Sequence, residues 1–422
     1  MKIFFRNIHL YLGLASGLII AVVCLTGSVL VFEKDLEQAW HPARYFVTPP
    51  AAAAAPLPLA RLAEAVRAAK PGAKITGFKV YADPTRTVEV SLASPERKGE
   101  GRPDKLAEST STAKPKSLNP QLKEGASQDP KTPKGGEKGG GEGGGPKVFV
   151  NPYTAAVTGE LNYRDTFFFS MMALHRGMVG GPVGKLVVGV STLLFLVILL
   201  TGIVLWWPAT RKALRQRLTV KWTGGWKRLN HDLHIVLGFY SALFLFVFAF
   251  TGLAWSFEWF NKGIYAVTNS PVQRPEPPQS ATPAAGGAAV SLTPDAMLAA
   301  ARQQAPQAVY YTLQLPKEPT GSIRVATLRP NAAYENATDE VYLDQYSGQV
   351  LRQQTYEQRS LGQRVRGWFK PIHTSAAFGW PGKLVGLVTC VLGFTFPITG
   401  TILWLNRLRK QRRKQQKLAV AA

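Results

Sequence analysis

Acidic residues and cysteine are both scarce in this chain. Its 422 residues include 26 Asp and Glu against 50 Lys and Arg, a formal net charge of +24, and only two cysteines. Cys24 and Cys390 are too few for a disulfide framework, and no Cys-x-x-Cys-His stretch exists to attach a c-type haem. The excess of base suggests nucleic acid, but no recognition motif accompanies it. Charge is missing altogether from four apolar runs, Leu10–Phe32, Leu186–Trp207, Ile235–Phe257 and Leu384–Leu405. Large apolar residues are in turn nearly missing from Ser94–Lys147, a Lys, Gly, Pro and Ser stretch that cannot bury a core.

Each uncharged run reaches the ~20 residues that cross a bilayer core of about 30 Å. Basic residues gather on one side of them. Pro208–Leu233 carries seven Lys/Arg and one acid, and the tail after Asn406 carries seven Lys/Arg and none. Positive charge flanks spans on the cytoplasmic side, so both termini and the 208–233 loop are expected there. The first run exceeds a signal-peptide core and continues into Glu33-Lys34-Asp35 without a small-residue cleavage site, which favours an uncleaved span.

The chain repeats itself. A shift of 225 lays the first run on the third: His9/His234, Gly13/Gly238, Ser16/Ser241, Thr26-Gly27/Thr251-Gly252. A shift of 198 lays the second on the fourth: His175/His373, Gly184-Lys185/Gly382-Lys383, Thr201-Gly202/Thr399-Gly400, Trp206/Trp404. Between the spans of each copy, patterning predicts a small α+β domain. The first has a helix over Leu57–Ala69 and strands at Ile75–Tyr81, Thr87–Leu92 and Val148–Val150. The second has a helix from Pro294 to about Gln304 and strands at Ala308–Leu315, Ser322–Thr327 and Glu340–Leu343. The turns Asn151-Pro-Tyr-Thr and Asp344-Gln-Tyr-Ser read as one element used twice.

The expected fold is an α-helical membrane protein, with four transmembrane helices arranged as two parallel repeats. The boundaries are a cytoplasmic N-terminus 1–8, a first span 9–32, an outer domain 33–182 with a disordered insertion 94–147, and a second span 183–207. A cytoplasmic loop 208–233, a third span 234–257, a second outer domain 258–382, a fourth span 383–405 and a basic tail 406–422 follow.

Five of the six histidines lie within about ten residues of a span. Topology sorts them: His9 and His234 (with His231) at the inner face, His175 and His373 at the outer. Headgroup contact, a proton relay and zinc are the competing explanations, but zinc normally takes four ligands. Paired imidazoles beside small residues suit a b-type haem, which takes axial histidines. Two bis-histidine haems are expected, one per leaflet. His231 shares a face with His234 and competes with it, while the repeat favours His234. Arg176, Lys185 and Lys383 are placed to pair with propionates of the outer haem.

His-x-x-x-Gly, Thr-Gly in all four spans, the Gly-Lys-Leu span starts and the Trp after the second and fourth Thr-Gly resemble the PepSY-associated transmembrane-helix family of bacterial inner-membrane proteins. The resemblance implies PepSY-like outer domains in the periplasm. It also implies haem-dependent reduction of ferric siderophores, fed by an electron donor on the cytoplasmic or quinone side. A hard Fe(III) chelate held through oxygen loosens when the metal becomes Fe(II). An iron-chelate transporter and a membrane-anchored PepSY binding protein are the other classes considered.

Overall fold

The computed structural model describes residues 1–50, 55–94, 145–281 and 290–421. Most of the 94–147 insertion therefore lies outside the described residues. Among these residues four helices are long and apolar enough to cross a membrane: α1 (Lys2–Leu30), α6 (Gly181–Trp206), the helix over Trp226–Ser256, and the helix over Ala376–Val420. Their lengths follow from the uncharged runs, since 20 residues of α-helix rise about 30 Å. The third is built from α8 (Trp226–Asp232), one π-helical turn (Leu233–Leu237) and α9 (Gly238–Ser256). The fourth is mainly α13 (Gly379–Ala421), with Pro397 inside it.

Short helices cover the ends. They are α2 (Glu33–Trp40) and α3 (Pro42–Tyr45) after the first span, α5 (Phe167–Gly177) before the second, and α7 (Arg211–Leu218) in the basic loop. On the far side lie α10 (Glu258–Val267) and α12 (Leu361–His373).

The strands correct the expectation of two separate outer domains. β1 (Ile75–Tyr81), β2 (Val88–Leu92), β3 (Lys147–Val150) and β4 (Val157–Leu161) join β5 (Tyr310–Gln314), β6 (Ile323–Leu328), β7 (Asp339–Leu343) and β8 (Val350–Gln354). Together they form one antiparallel sheet ordered β4-β3-β2-β1-β5-β6-β7-β8. The seam is β1 against β5, running from Gly77 opposite Gln314 to Tyr81 opposite Tyr310. A side chain at Gly77 would collide with the Leu313 carbonyl, so glycine is what lets the seam close.

One face of the sheet is covered by α4 (Leu59–Ala69) and α11 (Pro294–Gln304). Leu62, Val66, Phe78, Val90, Met297, Leu313, Val325 and Leu343 lie in a single apolar core under them. Asp295, in the first turn of α11, accepts from the Leu59 and Ala60 amides at 2.6 and 3.1 Å and so caps α4. Helices and core therefore cross the seam too.

The opposite face carries buried ion pairs. Glu340, 4% exposed, meets Arg324 at 2.6 Å and Arg359 at 3.0 Å. Burial opposes ionisation of Glu340, but the hydrogen bond and charge of Arg324, with Arg359 and Arg274, outweigh it and hold the carboxyl at about 2. The two Asx turns are built alike. Asn151 accepts from the Tyr153 amide and Asp344 from the Tyr346 amide, both at 2.9 Å. Tyr153 donates to Pro84 O and Tyr346 to Pro319 O, at 2.9 and 2.8 Å.

Candidate functional site: two opposed imidazole pairs

Every Thr-Gly of the spans is a seat for a histidine from another helix. His9 of α1 rests on Thr201-Gly202 of α6, and His175 of α5 on Thr26-Gly27 of α1. His234 rests on Thr399-Gly400 of α13, and His373 of α12 on Thr251-Gly252 of α9. The residue types follow from the packing. A threonine inside an apolar helix donates its hydroxyl back to the preceding turn, as Thr26 does to Val22 O at 2.7 Å and Thr251 to Val247 O at 2.7 Å. Its oxygen lone pairs then face the neighbouring helix. Glycine beside it leaves room for the ring: a Cβ on Gly27, Gly202 or Gly252 would stand 3.3 Å from the histidine Cε1, and one on Gly400 3.2 Å.

The same bonds set the tautomer. His9 Nδ1 lies 3.1 Å from both Ile198 O and Thr201 Oγ1, and His175 Nδ1 lies 3.0 Å from Val23 O. His373 Nδ1 is 3.0 Å from Phe248 O and from Thr251 Oγ1. A carbonyl only accepts, so these Nδ1 atoms donate and Nε2 carries the lone pair. His234 Nδ1 meets Thr399 Oγ1 at 2.8 Å, and that hydroxyl already donates into its own helix toward Thr395 O at 3.1 Å. A histidine with Nδ1–H anchored this way is oriented to bind metal through Nε2.

The four rings meet in two pairs. His9 and His234 have ring centroids 6.5 Å apart at 84°, on the side of the basic loop and tail. His175 and His373 lie 6.0 Å apart at 67°, on the side of the sheet. Two imidazoles holding one metal between them, each about 2 Å from it, would have centroids roughly 6 Å apart, so the two rings of either pair could hold a metal. Among the described residues no group of three or more His, Cys, Asp or Glu gathers to complete a protein-only metal shell. On the basic side there is room for a flat group: nothing lies within 4 Å of a Cβ built on Gly13, and only Phe396 approaches Gly238.

His175 and His373 precede their spans, as the sequence pattern suggested. They end separate helices, α5 and α12, that turn back onto the bundle. The turns need close contact. A side chain on Gly184 would collide with Gly177 O, and one on Gly382 with Ser375 O. After α5 the chain turns through Met178 and Val179 at φ 49° and 61°, and after α12 through Ser375 at 59°. A β-branched residue held there is strained.

The remaining expected residues sort as follows. His231 stays out of both pairs, 47% exposed and bonded to Asp232 at 3.2 Å; the one turn of π-helix that follows α8 contains His234. Lys383 is ion-paired with Asp35. Lys185 and Arg176 are exposed. Cys24 is buried, and its sulfur and that of Cys390 each face a glycine of the other's helix, Gly393 and Gly27. Several neighbours of the rings escaped the sequence reading. Trp255 lies 5.4 Å from His373 and Phe396 5.7 Å from His234.

Uncharged spans, an eight-stranded sheet on one side and paired imidazoles between helices define a helical membrane protein. The family follows from the whole length. The chain belongs to the family described as PepSY-associated TM region, whose model matches residues 6–407. No curated protein matches the chain.

Proposed function

We propose that this protein is an inner-membrane di-haem b oxidoreductase that passes electrons across the bilayer and reduces ferric siderophores in the periplasm. The observation that carries the reading is the pair of opposed imidazoles at each end of the bundle, every Nδ1 anchored and every ring seated on a glycine. In this reading His9 and His234 hold the inner haem, and His175 and His373 the outer one. Each bound haem would supply a one-electron Fe(III)/Fe(II) couple, tuned by axial ligand and burial. The residues of the chain keep the ligands neutral, fix ring direction and exclude water. The seat of the outer site, Thr26, lies 17 residues along α1 from His9, about 25 Å, which sets the span that electrons cover.

The basic loop and tail support a cytoplasmic side for the His9–His234 end, where in this reading a cytoplasmic or quinone-linked donor reduces it. The chain is read as two parallel repeats, each contributing half of the sheet as a PepSY-like unit. The product step is one electron onto a chelated Fe(III), which weakens oxygen ligation and frees the metal.

The test is reduction in proteoliposomes, with a donor enclosed and a ferric siderophore plus a colorimetric Fe(II) trap on the sheet side. Fe(II) should appear with wild type and fall to background with His373→Ala. Equal rates in both would remove the proposed activity.

A further inference from the structure

A cation stands beside the His373 ring of the sheet-side pair. Arg366 lies seven residues before His373 on α12, and residues at i and i+7 share a helix face. Its guanidinium carbon sits 4.7 Å over the Trp255 ring, whose centroid is 5.4 Å from that of His373. Its Nε donates to Asn261 Oδ1 of α10 at 2.7 Å. Guanidinium, indole and imidazole thus form a stack held by three helices, α9, α10 and α12. Arg366 is half-buried, so it is neither sealed in nor freely solvated. The positions 225 or 198 residues earlier hold Leu30, Leu36 and Phe168 where the stack has Trp255, Asn261 and Arg366. At the repeat-related place beside His175, Phe168 is fully buried against Trp40.

The geometry points to Arg366, steadied by Trp255 and Asn261, as a carboxylate-binding group at the sheet-side mouth of the His175–His373 site. Planar guanidinium suits a carboxylate through two parallel N–H donors. The carboxylate belongs either to the group held by the two imidazoles or to an anionic ferric chelate docking beside it. This inference rests on the haem reading above.

The experiment uses the purified full-length protein with Arg366→Gln and Arg366→Lys. Midpoint potentials of both haems are measured, together with KM and kcat for ferric citrate and for an uncharged ferric hydroxamate. If the carboxylate is the haem's, R366Q lowers the potential of the haem that His373→Ala removes, leaves the other unmoved, and R366K restores it. If it is the chelate's, both potentials hold and KM for ferric citrate alone rises, by roughly 10-fold or more for a lost charged hydrogen bond. Unchanged potentials with unchanged KM for both chelates would overturn the role of Arg366 while leaving the haem sites standing. Absence of haem from the wild type would overturn the functional reading and this inference together.

Discussion

The two basic-side seats differ by one hydrogen bond, and that difference makes a quantitative prediction. His9 Nδ1 has two acceptors, Ile198 O and Thr201 Oγ1, each at 3.1 Å. His234 Nδ1 has Thr399 Oγ1 at 2.8 Å, and among the described residues no carbonyl shares it. Valine keeps the shape of threonine and deletes the oxygen. Thr201→Val leaves the His9 N–H bonded to Ile198 O and removes only a shared contact, about 0.5–1 kcal/mol. Thr399→Val strands the His234 N–H away from water, about 1–3 kcal/mol, and frees the ring to rotate. Second-layer partners of this kind are worth about 10–100-fold in metal-site affinity. Thr399→Val should therefore weaken basic-side haem retention by about 10-fold or more, and Thr201→Val by a few-fold at most. The assay is the rate of haem transfer from each variant to an excess haem-scavenging apoprotein, followed at the visible bands. Equal loss from the two variants, or greater loss from Thr201→Val, would refute the reasoning.

Filling a seat should act by size. Gly252→Ala places a Cβ 3.3 Å from His373 Cε1, a shift the ring can absorb, whereas Gly252→Leu should eject the ring and halve the haem content while the basic-side site persists. Gly184→Val should act at a distance. It would collide with Gly177 O, displace the end of α5 and cost the sheet-side site, seen as loss of one spectral component without loss of the His9–His234 one. The sheet should weaken in acid. Glu340 ionises at about 2 when folded against an ordinary 4.5, so its contribution is full above about pH 4.5 and is lost as pH falls towards 2. That contribution is at most about 3 kcal/mol, and denaturant titrations in detergent from pH 7 to 3 should show the decline, flattened in Glu340→Gln.

Much of the fold was legible because membrane spans write themselves in composition. The four uncharged runs, the α4 and α11 stripes and six of the strands follow from periodicity alone. β4 and β8 did not, since they are sheet edges with exposed, mixed side chains (Val157-Thr-Gly-Glu-Leu and Val350-Leu-Arg-Gln-Gln) and carry no alternating apolar signal. Nor did the fusion of the two outer regions. The pairing of β1 with β5 joins residues more than 200 apart, and its one local trace is the glycine at Gly77. At the site, the histidines and the Thr-Gly steps were both visible, but their relation was not. Which Thr-Gly receives which imidazole depends on helix neighbours, and the pattern carried no sign that α5 and α12 are separate helices turning back onto the bundle. Asp35 reaches Lys383 from just past the first span, and Asp232 holds His231 from the adjacent position.

The central claim is that each imidazole pair holds a haem. The direct measurement is the visible spectrum of the purified protein, oxidised and then dithionite-reduced, with haem quantified per chain. The account predicts a low-spin b-type spectrum at about two haems per chain. One should be lost in His234→Ala and the other in His373→Ala, while His231→Ala retains both. A protein expressed with ample haem that carries none, or that keeps both haems in the two pair variants, would contradict it.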